Sequence, residues 1–285
     1  FIEGITTEMY RVSKVLNNNG VIAIDMDENK EYVILGKGVG FGKKVSQRFD
    51  KPEGCTTYRL EQETERGSAK ELVKGIEPEY LEIADAILTE SQKVFGDSID
   101  RGILFPLADH ISFAVARIRR NEQISNPLTE DIKVLFYSEF KVAETLKTIL
   151  RERLQIEIDD HEVGYVALHI HSAIGDEKVS VAMQTARAVR ECIDMIEKAT
   201  GKPIDVLSLS YNRLMNHMKY MVARASTGEK LNLDMNEYML DQYPQAYKVA
   251  TDICKNLEGC IGHKLDETET GYLAMHIQRV YKDAV

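Results

Sequence analysis

Four histidines recur as two matched pairs. His110 and His217 stand 107 residues apart, and so do His169 and His276. The later member of each pair closes a repeated stretch, Glu162-Val163-Gly164-Tyr165-Val166-Ala167-Leu168-His169-Ile170 and Glu269-Thr270-Gly271-Tyr272-Leu273-Ala274-Met275-His276-Ile277. The earlier members sit in Asp109-His110-Ile111 and Asn216-His217-Met218. Ala116-Arg117 with Ala223-Arg224, and Lys141-Val142-Ala143 with Lys248-Val249-Ala250, keep the same offset. One offset shared by separate landmarks marks a duplicated unit.

The remaining histidines do not share this order. At the 107 offset, His161 faces Thr268, His263 faces Ile156 and His171 faces Gln278, so none of the three is assigned a role. His169 and His171 form H-x-H, but residues two apart on a helix point about 200° apart and cannot grip one metal. A metal site with two histidines per copy would call for a duplicated carboxylate. Glu162 and Glu269 could supply one, but they read more simply as helix caps. No Ser or Cys nucleophile is paired with the histidines in both copies. A single helical histidine packs half-buried against a carbonyl, yet a core position rarely demands imidazole in four matched places. The chemistry left is neutral imidazole attacking phosphorus and keeping the group as a phosphoramidate. That turns a neutral side chain into a strong anion able to rearrange an interface. No catalytic residue, cofactor or metal is expected. A histidine-dependent enzyme would need a substrate-binding set that the sequence does not offer.

Helices must carry these residues. Tyr80, Ile83, Ala84, Ile87 and Leu88 follow helical spacing up to a stop at Gly96. Further helices are predicted over about 103–119, after Asn126-Pro127, over about 137–154, and from Asp159, with Asp159 and Glu162 as an Asp form of the capping box. Asp266 and Glu269 restate that box. Each copy is then a five-helix unit. The predicted boundaries are a β domain over 1–60, a linker over 61–76, and helical domains over 77–176 and 177–285, with Gly175-Asp176-Glu177 between the helical copies. The fold class is multidomain: a small all-β domain followed by two duplicated all-α domains.

Residues 10–60 read as strands, with turns at Asn17-Asn18-Asn19-Gly20 and Asp27-Glu28-Asn29-Lys30. So small a sheet buries little surface alone and is expected to dimerise. Gly36-Lys37-Gly38-Val39-Gly40-Phe41-Gly42-Lys43-Lys44 fits neither the P-loop nor the G-x-G-x-x-G pattern. Two readings remain. One is a twisted strand with glycines at bends. The other is a backbone kept bare for close approach of a ligand, with Phe41 as a stacking platform and Lys37, Lys43 and Lys44 as phosphate contacts. Its neighbour in the sheet, Lys14 to Asn19, adds the amides of Asn17, Asn18 and Asn19, able to read base edges.

The net charge of −10 argues against a general polyanion binder. Residues 1–60 hold nine Lys and Arg against eight Asp and Glu, so the other 225 residues carry −11. Nucleic-acid contact therefore belongs to the N-terminal segment and is local. No apolar run reaches the roughly 18 to 20 residues that span a bilayer, and no signal peptide opens the sequence. The four cysteines form no C-x-x-C pair, which fits free thiols in a reducing cytoplasm.

Lys14-Val15-Leu16-Asn17-Asn18-Asn19, the Gly36–Lys44 run and the two histidine-bearing copies together resemble the BglG/SacY/LicT-type transcriptional antiterminators over nearly the whole chain. The resemblance identifies residues 1–60 with the co-antiterminator RNA-binding domain. It identifies the helical copies with phosphotransferase-system regulation domains. Gly-Val-Gly-Phe-Gly-Lys-Lys and His169-Ile170-His171 lean toward the glucose-type branch. The resemblance implies a homodimer that binds a leader-mRNA hairpin and prevents termination ahead of sugar-transport genes. RNA contacts would be Lys14, Asn17, Asn18, Asn19, Lys37, Gly38, Phe41, Lys43 and Lys44. His110, His169, His217 and His276 would be phosphorylated by HPr and a sugar-specific enzyme II. Asn216 in place of Asp109 sets the second copy apart. A DNA-binding activator with the same regulatory domains is the rival; it needs a helix-turn-helix where the sequence reads as strands.

Overall fold

The structure, a computed structural model, describes residues 9–61, 63–64, 67–122, 124–175, 178–205 and 208–283. Five strands form one antiparallel sheet: β1 Met9–Asn17, β2 Gly20–Asp25, β3 Glu31–Leu35, β4 Arg48–Asp50 and β5 Thr56–Arg59, in the order β4-β1-β2-β3-β5. Alternation along β1 puts Tyr10 and Val12 into a core with Val21, Ala23, Ile34, Val39 and Phe49. Strands therefore occupy the segment where a helix-turn-helix would have to lie. Both turns form, but not alike. Asn29 takes φ 55°, whereas none of the residues from Asn17 to Gly20 adopts a positive φ. That first turn instead follows register shifts at Val12/Lys14 and Val15/Asn17, bulges that re-aim the strand end.

Gly36–Lys44 is no strand. It is a run of turns, with Gly38 and Gly42 at φ 75° and 66°. Val39 plugs into the sheet core and pins the run from its middle. Gly40 is required by close approach, because a Cβ there would lie 2.0 Å from the Asn17 carbonyl oxygen. The stretch read as a linker has structure of its own: a two-stranded ladder of β6 Glu63–Thr64 and β7 Gly67–Ser68, then helix α1 Ala69–Gly75, which buries Ala69 and Val73.

The rest is helical. The first copy holds α2 Pro78–Phe95, α3 Leu104–Arg119, α4 Thr129–Leu135, α5 Tyr137–Ala143, α6 Thr145–Leu154 and α7 Asp160–Gly175. The second holds α8 Val179–Thr200, α9 Leu209–Thr227, α10 Asn236–Gln242, α11 Pro244–Ile261 and α12 Glu269–Asp283. The single helix expected over 137–154 is broken at Glu144, whereas its counterpart α11 runs unbroken. Asp176 and Glu177, expected to part the copies, lie outside the described residues.

Two compact units result. One comprises the described residues up to Ser125 with Ser138–Lys178; the other joins Asn126–Tyr137 to the residues from Val179 onward. In the first, α3 packs on α2 and α7. In the second, α12 packs on α9, α10 and α11, and α4 lies on α8 and α9. Asp131 of α4 is buried there and accepts a hydrogen bond from Tyr211 Oη at 3.3 Å. Among the described residues no helix is long and apolar enough to cross a membrane.

Candidate nucleic-acid interface and histidine sites

The turn Asn17–Gly20 and the run 36–44 are bonded into one surface. Gly36 N donates to Asn19 O (2.9 Å), Gly40 N to Asn18 O (2.9 Å) and Gly38 N to the Asn19 side-chain Oδ1 (3.0 Å). Asn17 Oδ1 accepts from Asn19 N at 2.8 Å. The amide oxygens of Asn17 and Asn19 therefore hold backbone, and their NH2 groups face away from it. Phe41 stands between two glycines with 75% of its surface exposed. Lys37 and Lys44 are exposed beside it, whereas Lys43 sits over the Phe49 ring, 4.8 Å from its centroid. Asn18 and Gly38 are exposed on the same surface. Lys14 is placed differently: with Lys70 and Lys74 it lines a cleft of about 230 Å³ beside α1.

The histidine pairs meet as rings. His110 of α3 and His169 of α7 have centroids 5.3 Å apart, and His217 of α9 and His276 of α12 lie 4.8 Å apart, nearly stacked. The repeated tyrosine packs on the first ring of each pair, Tyr165 at 5.7 Å from His110 and Tyr272 at 6.2 Å from His217. The repeated glutamate lies beneath. Glu162 Oε2 is 3.4 Å from His110 Nε2, and Glu269 Oε2 is 3.6 Å from His217 Nε2.

These glutamates are not the caps that the sequence suggested. Asp159 does start α7, accepting from His161 N (3.0 Å) and Glu162 N (3.2 Å). The Glu162 side chain turns inward and binds Arg117 at 2.8 and 3.2 Å. Glu269 binds Arg224 bidentately at 2.6 and 2.9 Å. Arg117 and Arg224, two turns on from His110 and His217 along α3 and α9, are each already held by a carboxylate. Burial pushes the Glu162 pKa up, but the nearby His110 and the hydrogen-bonded Arg117 outweigh it and hold the carboxyl below its usual range. The hydrogen bond to Glu269 raises Arg224.

Burial, then the charges of its neighbours His276 and Arg224, lowers the pKa of His217 to about 3. Burial, then Arg279 and Arg213, lowers that of His276 to about 4. Both rings are neutral at pH 7 and so keep the lone pair a nucleophile needs. His171, given no role above, binds the buried Glu139 through Nδ1 at 2.9 Å. The counterpart of Glu139 at the repeat offset is Ala246, so the second copy has no such pair. No cluster of His, Cys, Asp or Glu among the described residues could hold a metal ion.

Comparison with known proteins covers both parts of the chain. The CAT RNA binding domain family matches residues 10–67, and the PRD domain family matches 85–173 and again 190–280. The glcA/glcB genes antiterminator of Staphylococcus carnosus is 30% identical over 274 residues, 94% of each chain. Transcription antiterminator LicT of Bacillus subtilis is 27% identical over 278 residues, 96% of this chain and all of its own. The crystal structure of GlcT CAT-PRDI superposes with a TM-score of 0.51 at 29% identity, covering 59% of this chain and 99% of that one.

Proposed function

Because this chain belongs to the family of antiterminators that join a CAT RNA-binding domain to two PRD domains, we propose that it binds a bulged hairpin in leader mRNA. Binding would keep transcription running into sugar-transport genes. Relatives named GlcT place the lean toward the glucose-type branch on firmer ground. The protein acts as a regulator in the cytoplasm and works as a homodimer through its sheet. The observation that carries the RNA reading is the run pinned by Val39, which holds Phe41 out beside the bonded Asn17–Asn19 turn. Phe41 stacks on a base, Asn17, Asn18 and Asn19 donate to acceptors, and Lys37, Lys43 and Lys44 meet phosphates. Gly38 lets the backbone approach, and Lys14 contributes charge from its own cleft.

His110, His169, His217 and His276 are the proposed phosphoryl acceptors, served by HPr and a sugar-specific enzyme II. The lone pair of a neutral imidazole attacks phosphorus as the donor's own bond to that phosphorus breaks. His110 and His169 are only 8% and 6% exposed, so a donor reaches them only after the rings turn outward or α3 and α7 part. The test has two arms. The intact chain should prefer a bulged RNA hairpin to its fully paired form, and Phe41→Ala should cost about 1 to 3 kcal/mol of that affinity with the sheet intact. Mass spectrometry after incubation with enzyme I, HPr and candidate enzymes II should find phosphate on these histidines. Unchanged affinity in Phe41→Ala, or phosphate on none of the four, overturns the corresponding arm.

A further inference from the structure

We propose that Glu82 of α2 is an internal competitor for the RNA face. Asn17 Nδ2 donates to Glu82 Oε1 at 2.7 Å, and Asn19 Nδ2 donates to Glu82 Oε2 at 3.1 Å. The oxygens of both amides are committed to backbone, so what these side chains offer a ligand is N–H. A donor pair of that kind selects acceptor groups: phosphodiester oxygens, base carbonyls and ring nitrogens. A carboxylate bridging both donors with its two oxygens and its negative charge is the protein group nearest in kind to a phosphodiester. Each NH2 keeps a second hydrogen, but RNA reaching for it would bring its phosphates against the Glu82 charge. RNA and Glu82 therefore exclude one another at this turn.

The surroundings favour a contact that can open. One turn further along α2, Asp85 accepts from Tyr58 Oη of β5 and from Arg101 at 2.8 Å, and Arg101 also donates to Tyr58 Oη at 2.7 Å. The sheet thus meets α2 here through polar bonds, which water or RNA can replace, beside the edge-on packing of Tyr58 on Phe105. In the closed form the acidic face of the first regulatory copy occupies the RNA face. Any event that draws α2 away exposes it, which couples RNA affinity to the state of that copy. Among the described residues the ion-pair partner of Glu82 is Arg153, at 3.8 Å.

The competition rests on the RNA reading above, and one experiment separates the two. Affinity for the bulged hairpin is measured by fluorescence anisotropy on the intact chain and on Glu82→Ala, Glu82→Gln and Glu90→Ala. Losing the competitor should tighten Kd by on the order of tenfold in Glu82→Ala, since the closed form no longer taxes binding. Glu82→Gln, which keeps the size and one acceptor oxygen, should fall between. Glu90→Ala, which removes one half-buried negative charge, paired with Lys93, elsewhere on α2, should bind as the wild type does. Glu82→Ala with Arg153→Ala should keep the gain, because the gain does not come from a freed arginine. Equal Kd for wild type and both Glu82 variants overturns the competition and leaves RNA binding standing. So does a gain matched by Glu90→Ala or abolished with Arg153→Ala. Absence of hairpin binding in every variant overturns both.

Discussion

His217 and His276 show what burial does to an imidazole before any partner arrives. Their protonated forms are disfavoured, with pKa values lowered to about 3 and about 4 against an unfolded value near 6.5. Between those limits the unfolded chain takes up protons that the folded chain refuses. Stability is thus fully present above about pH 6.5 and falls as pH drops through the window, by at most about 1.4 kcal/mol per pH unit for each histidine. Urea unfolding of the intact chain at about pH 7.5 and about pH 5 should show this loss in the transition of the second unit. Replacing both residues, His217→Asn with His276→Asn, should flatten the dependence. An equally steep loss in that variant would assign it to other groups. These histidines were legible in the sequence because duplication marks them. Their depressed proton affinity was not, since it arises from burial and from neighbouring charges: His276 and Arg224 act on His217, while His276 feels Arg279 and Arg213, which have no arginine counterparts at the repeat offset, where Ser172 and Pro106 stand.

Among the elements, the repeated E-x-G-Y stretch becomes a set of contacts that α12 makes with its neighbours. Glutamate reaches the arginine and histidine of α9, and tyrosine packs on that histidine. Glycine lets α12 press against the start of α10, where a Cβ at Gly271 would lie 2.7 Å from Asn236 N and from Met235 C. Both are backbone atoms, so the clash cannot be relieved by a rotamer change. Gly271→Ala should destabilise the second unit by about 2 to 3 kcal/mol, read as an earlier thermal transition, with RNA binding by the sheet retained. A transition within about 0.5 kcal/mol of wild type would show that the close approach is not required. The helices were legible from period and caps: Gly96 stops α2 as expected, and Gly201, also at positive φ, follows the end of α8. What was not legible is which side chains meet across elements. Arg117 and Glu162 are 45 residues apart and become partners only once α3 packs on α7. Glu82 looks like any solvated helix glutamate until the turn 65 residues before it folds back onto α2. The placement of α4 with α8 and α9 is equally hidden, because a seven-residue helix carries too short a pattern to name its neighbours.

At the scale of the whole chain, the two histidine sites differ in how firmly they are held. Glu269 is 1% exposed and grips Arg224 through two nitrogens. Glu162 holds Arg117 through a single terminal nitrogen shared by both carboxylate oxygens. A phosphoryl group on His110 would put a dianion on a ring whose Nε2 lies 3.4 Å from Glu162, where like charges in a poorly solvated place repel strongly. Arg117 is the near cation able to answer, and a dianionic phosphate outcompetes a carboxylate for it. Modification of the first copy should therefore break the Arg117–Glu162 link between α3 and α7, and the second copy, more tightly tied, should yield less. In the proposed homodimer, modified copies brought close to a two-fold axis would add repulsion between subunits. A His110→Asp, His169→Asp chain mimics this charge. It should lose readthrough in a reporter assay and change its small-angle scattering profile. His217→Asp with His276→Asp should shift the profile less. If the first variant matches the wild type in both readthrough and scattering, the switch does not lie in the first histidine pair.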